Sequence, residues 1–119
     1  MSKINVRITL KTSDNTYTYE VSAIYKDEED ILIYQEPTEE KTLVKYNYST
    51  QELTRENKEL KMIYPFKKMK ETNGTITMKE LNNKLDLNIK TTEYLRCSNN
   101  ITVDYTVEKE KYNYKIEVI

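Results

Sequence analysis

A chain of 119 residues with 33% charged side chains is long enough to enclose one core and too short for two domains. Its 19 basic and 20 acidic side chains leave a net charge of -1, which argues against a nucleic-acid binder, because displacing counterions from phosphate needs a basic surplus. Histidine is absent and Cys97 is the only cysteine, so His-based triads, His-ligated zinc or haem and an internal disulfide are excluded.

Ile4, Val6, Ile8 and Leu10 alternate with Asn5, Arg7, Thr9 and Lys11. Successive side chains of a strand point to opposite faces, so this beat predicts a first strand with one dry side. Ser13-Asp14-Asn15 is a turn cluster. A second strand runs from about Thr16 to Tyr25, with Tyr17, Tyr19, Val21, Ala23 and Tyr25 on one side. An acidic turn at Asp27-Glu28-Glu29-Asp30 leads to Ile31-Leu32-Ile33-Tyr34, apolar on both faces as in a short strand covered twice, which Pro37 closes.

Thr42, Val44, Tyr46 and Tyr48 mark the next strand, a weaker one pivots on Leu53, and Leu60, Met62 and Tyr64 form another that stops at Pro65. Phe66 and Met69, three apart, suggest a single helical turn that lays both on the protein. Asn73-Gly74 holds the only glycine and is expected to be a turn with positive φ. Strand character returns at Ile76 and Met78, Asn82-Asn83 turns the chain, and Leu85, Leu87 and Ile89 make a clear strand. Thr92 to Asn99 shows no readable period. Ile101, Val103, Tyr105 and Val107, then Tyr112, Tyr114, Ile116 and Val118, predict a closing antiparallel hairpin.

About ten short strands with polar tips and short connections favour a meander, and a sheet of that many strands hides its edges by closing. The expected fold is therefore all-β: an antiparallel up-and-down barrel of about 8–10 strands formed by residues 1–119 as one domain. A two-sheet sandwich is the alternative. No apolar run approaches the roughly 20 residues that span a bilayer, and Met1-Ser2-Lys3-Ile4 leads straight into a strand. A cytoplasmic protein away from membranes is expected.

The pattern from Ala23 to Val118 also resembles the bacterial YwiB-like family. The resemblance rests on Ile31-Leu32-Ile33-Tyr34-Gln35-Glu36, Thr42-Leu43-Val44-Lys45, Leu53-Thr54-Arg55, Leu60-Lys61-Met62 before Phe66, and Leu87-Asn88-Ile89-Lys90-Thr91. It departs at Glu56-Asn57 and at Leu81-Asn82-Asn83, where the family places glycine-containing turns. The resemblance implies a lipocalin-like (calycin) barrel and carries no agreed activity.

Tyrosine is the compositional oddity, with 11 copies against one phenylalanine and no tryptophan. One reading is a cavity in which Tyr46, Tyr64, Tyr105 and Tyr114 contact a ligand; the other is that tyrosines fill the core or its rim. Arg55 shares parity with Leu53 and can point inward, where it needs a partner: an anionic group of a ligand, or a carboxylate such as Glu36. The basic run Lys58, Lys61, Lys67, Lys68 and Lys70 and the acidic run Asp27 to Asp30 would steer a ligand if both lined one barrel mouth; solvated hairpin tips are the plainer reading. The acidic run lacks the spacing and central glycine of a calcium loop, and no metal or cofactor is expected. A non-enzymatic barrel holding a small, partly apolar molecule comes first, and a filled barrel acting as a structural or interaction module second. Chemistry comes last, and tight clustering of Arg55, Glu36 and a tyrosine in one deep pocket would favour it.

Overall fold

A computed structural model describes Met1 to Ile119. It contains ten strands and no helix: β1 Ser2–Lys11, β2 Thr16–Lys26, β3 Ile31–Gln35, β4 Leu43–Asn47, β5 Glu52–Glu56, β6 Leu60–Pro65, β7 Lys70–Met78, β8 Asn83–Cys97, β9 Asn100–Val107 and β10 Glu110–Val118. Each strand pairs antiparallel with the next, and β10 returns to β1 with Val6 opposite Val118 and Lys11 opposite Asn113. The meander thus closes into a barrel, and the sandwich is set aside. The turns after β1, β3, β5, β7 and β9 form one rim; those after β2, β4, β6 and β8, together with both termini, form the other.

Period-two patterning sets which side chains enter. Val6 and Ile8, Leu32 and Tyr34, Val44 and Tyr46, Ile101 and Val103, and Tyr114 and Ile116 all point inward and are buried. Their neighbours face water, where Arg7 donates to Glu20 and Ser22 to Asn5 across β1 and β2. The wall is a single layer, so Ile31 and Ile33 of β3 are half-exposed instead of covered twice.

Two other expectations are overturned. Phe66 to Met69 is no helical turn. Phe66 donates its N–H to the Gln51 carbonyl and is wholly buried, whereas Met69 has φ 62° and is 76% exposed. Gly74 is no turn either: it sits inside β7, paired with Leu87, and its φ is not positive. Its role is close approach. A Cβ there would lie 2.4 Å from Ile89 Cδ1 and 2.7 Å from the Ile63 carbonyl oxygen.

With so little glycine, the tight turns use other residues in the left-handed region, among them Asn82 at φ 48° and the pair Glu108 and Lys109 at 49° and 76°. Two successive positive φ values joining Val107 to Glu110 describe a two-residue primed turn, whose twist matches the flanking strands.

Candidate ligand cavity

The barrel is packed at one end and hollow at the other. At the terminal rim, Arg96 donates from Nη1 and Nη2 to the Asp30 carboxylate, both at 3.2 Å, while its guanidinium lies 4.5 Å from the centre of the Tyr48 ring. Tyr25 donates to Asp30 at 2.6 Å, Ser49 adds a bond to the same carboxylate, and the Tyr48 hydroxyl donates to the Asn99 carbonyl. The Tyr25 hydroxyl first, then Arg96, hold the Asp30 carboxyl below its ordinary range against the opposing effect of burial. Above this floor, Val6, Leu32, Val44, Tyr46, Ile101 and Ile116 fill the lumen.

Toward the opposite rim a cavity of about 700 Å³ opens, within the size range of small-molecule sites. The inward side chains of β1, β2, β3, β5, β6, β9 and β10 build it, including Leu10, Tyr19, Leu53, Tyr64, Val107 and Tyr112; the segment just after β3 adds Glu36. Aromatic rings form one wall. Phe66 packs between Tyr64 (centroids 6.5 Å, interplanar 15°) and Tyr105 (4.7 Å), and Tyr105 stacks on Tyr112 at 5.4 Å and 18°.

Arg55 and Glu36 face each other within this lining as a bidentate pair: Nε donates to Oε2 at 3.0 Å and Nη2 to Oε1 at 2.7 Å. The Glu36 side chain is 14% exposed and that of Arg55 32%. Burial opposes the guanidinium charge, and the bonds and charge of Glu36 more than offset it, so the Arg55 pKa lies above its ordinary value. Burial, with the Glu36 charge second, pushes Tyr19 up to about 12. Burial also raises Tyr34, Tyr64, Tyr105 and Tyr114, so these hydroxyls keep their protons at neutral pH. Tyr34 and Tyr114 bond to each other at the cavity's base.

Of the residues singled out in the sequence, the fold brings Arg55, Tyr64, Tyr105 and Tyr114 to this cavity. Tyr46 lies elsewhere. It is wholly buried, outside the lining, and its hydroxyl bonds to that of Tyr94. Glu36 is the partner of Arg55, so the cluster of Arg55, Glu36 and tyrosines in one deep pocket is present. Sequence reasoning missed Tyr19, Tyr34 and Tyr112 as lining residues, although each shares strand parity with a core residue: Ala23, Leu32 and Tyr114. The charge runs do not converge on the mouth. Asp27 to Asp30 and Lys67, Lys68 and Lys70 belong to the terminal rim, whereas Lys58 and Lys61 lie toward the open one. No three acidic or thiol side chains converge as metal ligands, and no helix is long and apolar enough to cross a membrane.

No protein-family model matches the chain, and no curated protein sequence matches it. Among solved structures, the crystal structure of the YwiB protein from Bacillus subtilis is similar with a TM-score of 0.68 at 18% identity, covering 96% of this chain and 87% of that one. The two chains therefore share a YwiB-like fold.

Proposed function

We propose that the protein is a cytoplasmic, non-catalytic binding module that holds a small, partly apolar molecule in the open half of a lipocalin-like barrel. The observation that carries this reading is a 700 Å³ aromatic-walled cavity over a solid core. A barrel built only as a scaffold gains stability from filling its lumen, as the packed half does with Leu32 and Tyr46, and gains nothing from leaving tyrosine rings around a void. The free, exposed thiol of Cys97 suits a reducing compartment.

The Arg55, Glu36 and tyrosine cluster favours a second reading, acid–base chemistry on the bound molecule. Its energetics weigh against that reading. Both Glu36 oxygens accept from Arg55, which leaves the carboxylate committed to its partner and not to a substrate proton, and the tyrosines are raised away from neutral pH. Thermal melting against a metabolite library tests binding: a true ligand raises Tm in proportion to the logarithm of its concentration. Val107→Trp, which fills the mouth, abolishes that shift while leaving the unliganded Tm near its original value. A library that never shifts Tm, or a shift that survives Val107→Trp, sinks the binding reading. Consumption of the bound compound, lost in Glu36→Gln, would establish the catalytic one.

A further inference from the structure

The cavity has a charge and hydrogen-bond inventory that narrows what it can hold. Arg55 and Glu36 are its only ionised lining residues, and they cancel. A ligand carboxylate reaching for Arg55 would either sit beside Glu36 or displace it, leaving a carboxylate that is 14% exposed without its partner. An ammonium group meets the mirror-image problem at Arg55. Matched charge thus works against ions of either sign.

Hydrogen-bond donors remain unused. Arg55 engages Glu36 through Nε and Nη2, which leaves Nη1 uncommitted. Tyr105, only 6% exposed, lines the cavity, and its hydroxyl makes no hydrogen bond within the protein; nor does that of Tyr112. Tyr64 donates to the Met62 sulfur, a weak acceptor, and its hydroxyl oxygen lies beside the Arg55 guanidinium. Thr91 Oγ1 alone is buried without a partner, so these donors are open to water in the cavity, and a ligand acceptor that takes their bonds replaces that water without loss. The neighbouring Tyr105 and Tyr112 rings lie within 18° of parallel and offer a face on which a flat ring can pack.

We infer that the cavity selects an uncharged aromatic molecule bearing a carbonyl acceptor, and discriminates against carboxylates and amines of the same shape. The inference rests on the binding reading above and adds its chemical class. Packing of the ring against Tyr105 and Tyr112 supplies the apolar contact, and the carbonyl oxygen takes hydrogen bonds from Arg55 Nη1 and the free tyrosine hydroxyls.

Three probes of one shape test it: 2-acetylnaphthalene, 2-naphthoate and 2-naphthylmethylammonium, titrated calorimetrically into the full chain and into two variants. In the unaltered protein the ketone binds about ten-fold or more tightly than either ion. Glu36→Gln frees the Arg55 charge, so naphthoate gains about ten-fold relative to the ketone. Arg55→Gln does the same for the ammonium probe, and either variant that folds by circular dichroism reports the effect. Should both variants unfold, the ranking in the unaltered protein decides alone. Naphthoate binding as tightly as the ketone to the unaltered protein, or affinity ratios indifferent to the substitutions, overturns the inference while leaving the binding reading intact. Failure of all three probes to bind overturns the inference, and the binding reading then rests on the metabolite library alone.

Discussion

The two halves of this barrel are made from the same ten strands and the same alternating pattern, yet one is solid and the other hollow. At the terminal rim, branched aliphatics meet in the lumen and an Arg96, Asp30 and Tyr48 cluster closes the floor. At the opposite rim, tyrosines and a single ion pair stand back from the axis and leave about 700 Å³. Alternation fixes which face a side chain takes, whereas side-chain volume and polar partnering fix whether opposite walls touch. Close packing therefore resides in one half, and open volume in the other.

The widest contrast should come from truncating the two walls. Leu32→Ala or Ile101→Ala in the solid half costs about 2–5 kcal/mol, because each leaves a closed void among fully buried neighbours. Leu10→Ala, on the cavity wall, costs about 1 kcal/mol or less, since it merely widens an existing space. Urea denaturation measures both, and equal losses would erase the distinction between the halves.

Alkali should act next, through the hydroxyls that the packing encloses. Tyr34, Tyr46 and Tyr114 all have folded pKa values raised above the ordinary 10.0, with burial the leading cause. Their stabilisation is complete below the unfolded value and is lost as pH rises toward the folded one. Each removes roughly 1.4 kcal/mol per pH unit above 10, so the barrel unfolds cooperatively in that region. Tyrosinate absorbance should then rise together with loss of the strand signal in circular dichroism. Gradual ionisation of the buried tyrosines within an intact barrel would contradict this.

The smallest effect belongs to the floor. Asp30→Asn weakens the bond from Tyr25 and the pair with Arg96, at a cost of about 1 kcal/mol near neutrality, modest because the cluster is partly exposed. The Asp30 contribution exists above the ordinary carboxyl pKa and fades as pH falls through its lowered folded value. The difference between the two proteins should accordingly shrink in acid, and a gap that stays constant with pH would assign the loss to packing alone.

Much of this was legible in the chain. The beat of Ile101 to Val107 and of Tyr112 to Val118 specified the closing hairpin, and the parity of Arg55 with Leu53 led to its partner Glu36. The unreadable stretch from Thr92 to Asn99 has a definite cause. A bulge between Thr91 and Glu93 shifts the phase, so that Ile89 and Thr91 point inward before it, and Tyr94 packs against the core after it. Gly74 misled because glycine signals a turn as readily as a close approach, and the Ile89 side chain that fills its missing Cβ lies in a different strand. Tyr46 misled for a related reason. Parity put it inside, but height along the axis separates filler from cavity wall, and height depends on strand tilt, which a local period does not encode.

Nine of the ten ladders join neighbours in the chain, and the tenth links β1 to β10 across almost its full length. Until β10 has been synthesised, the preceding strands form a curled ribbon with two raw margins, each able to recruit a stranger in place of the absent partner. One late ladder converts that ribbon into a cylinder, so slow translation just upstream of β10 would lengthen the time in which the growing chain is most prone to aggregate.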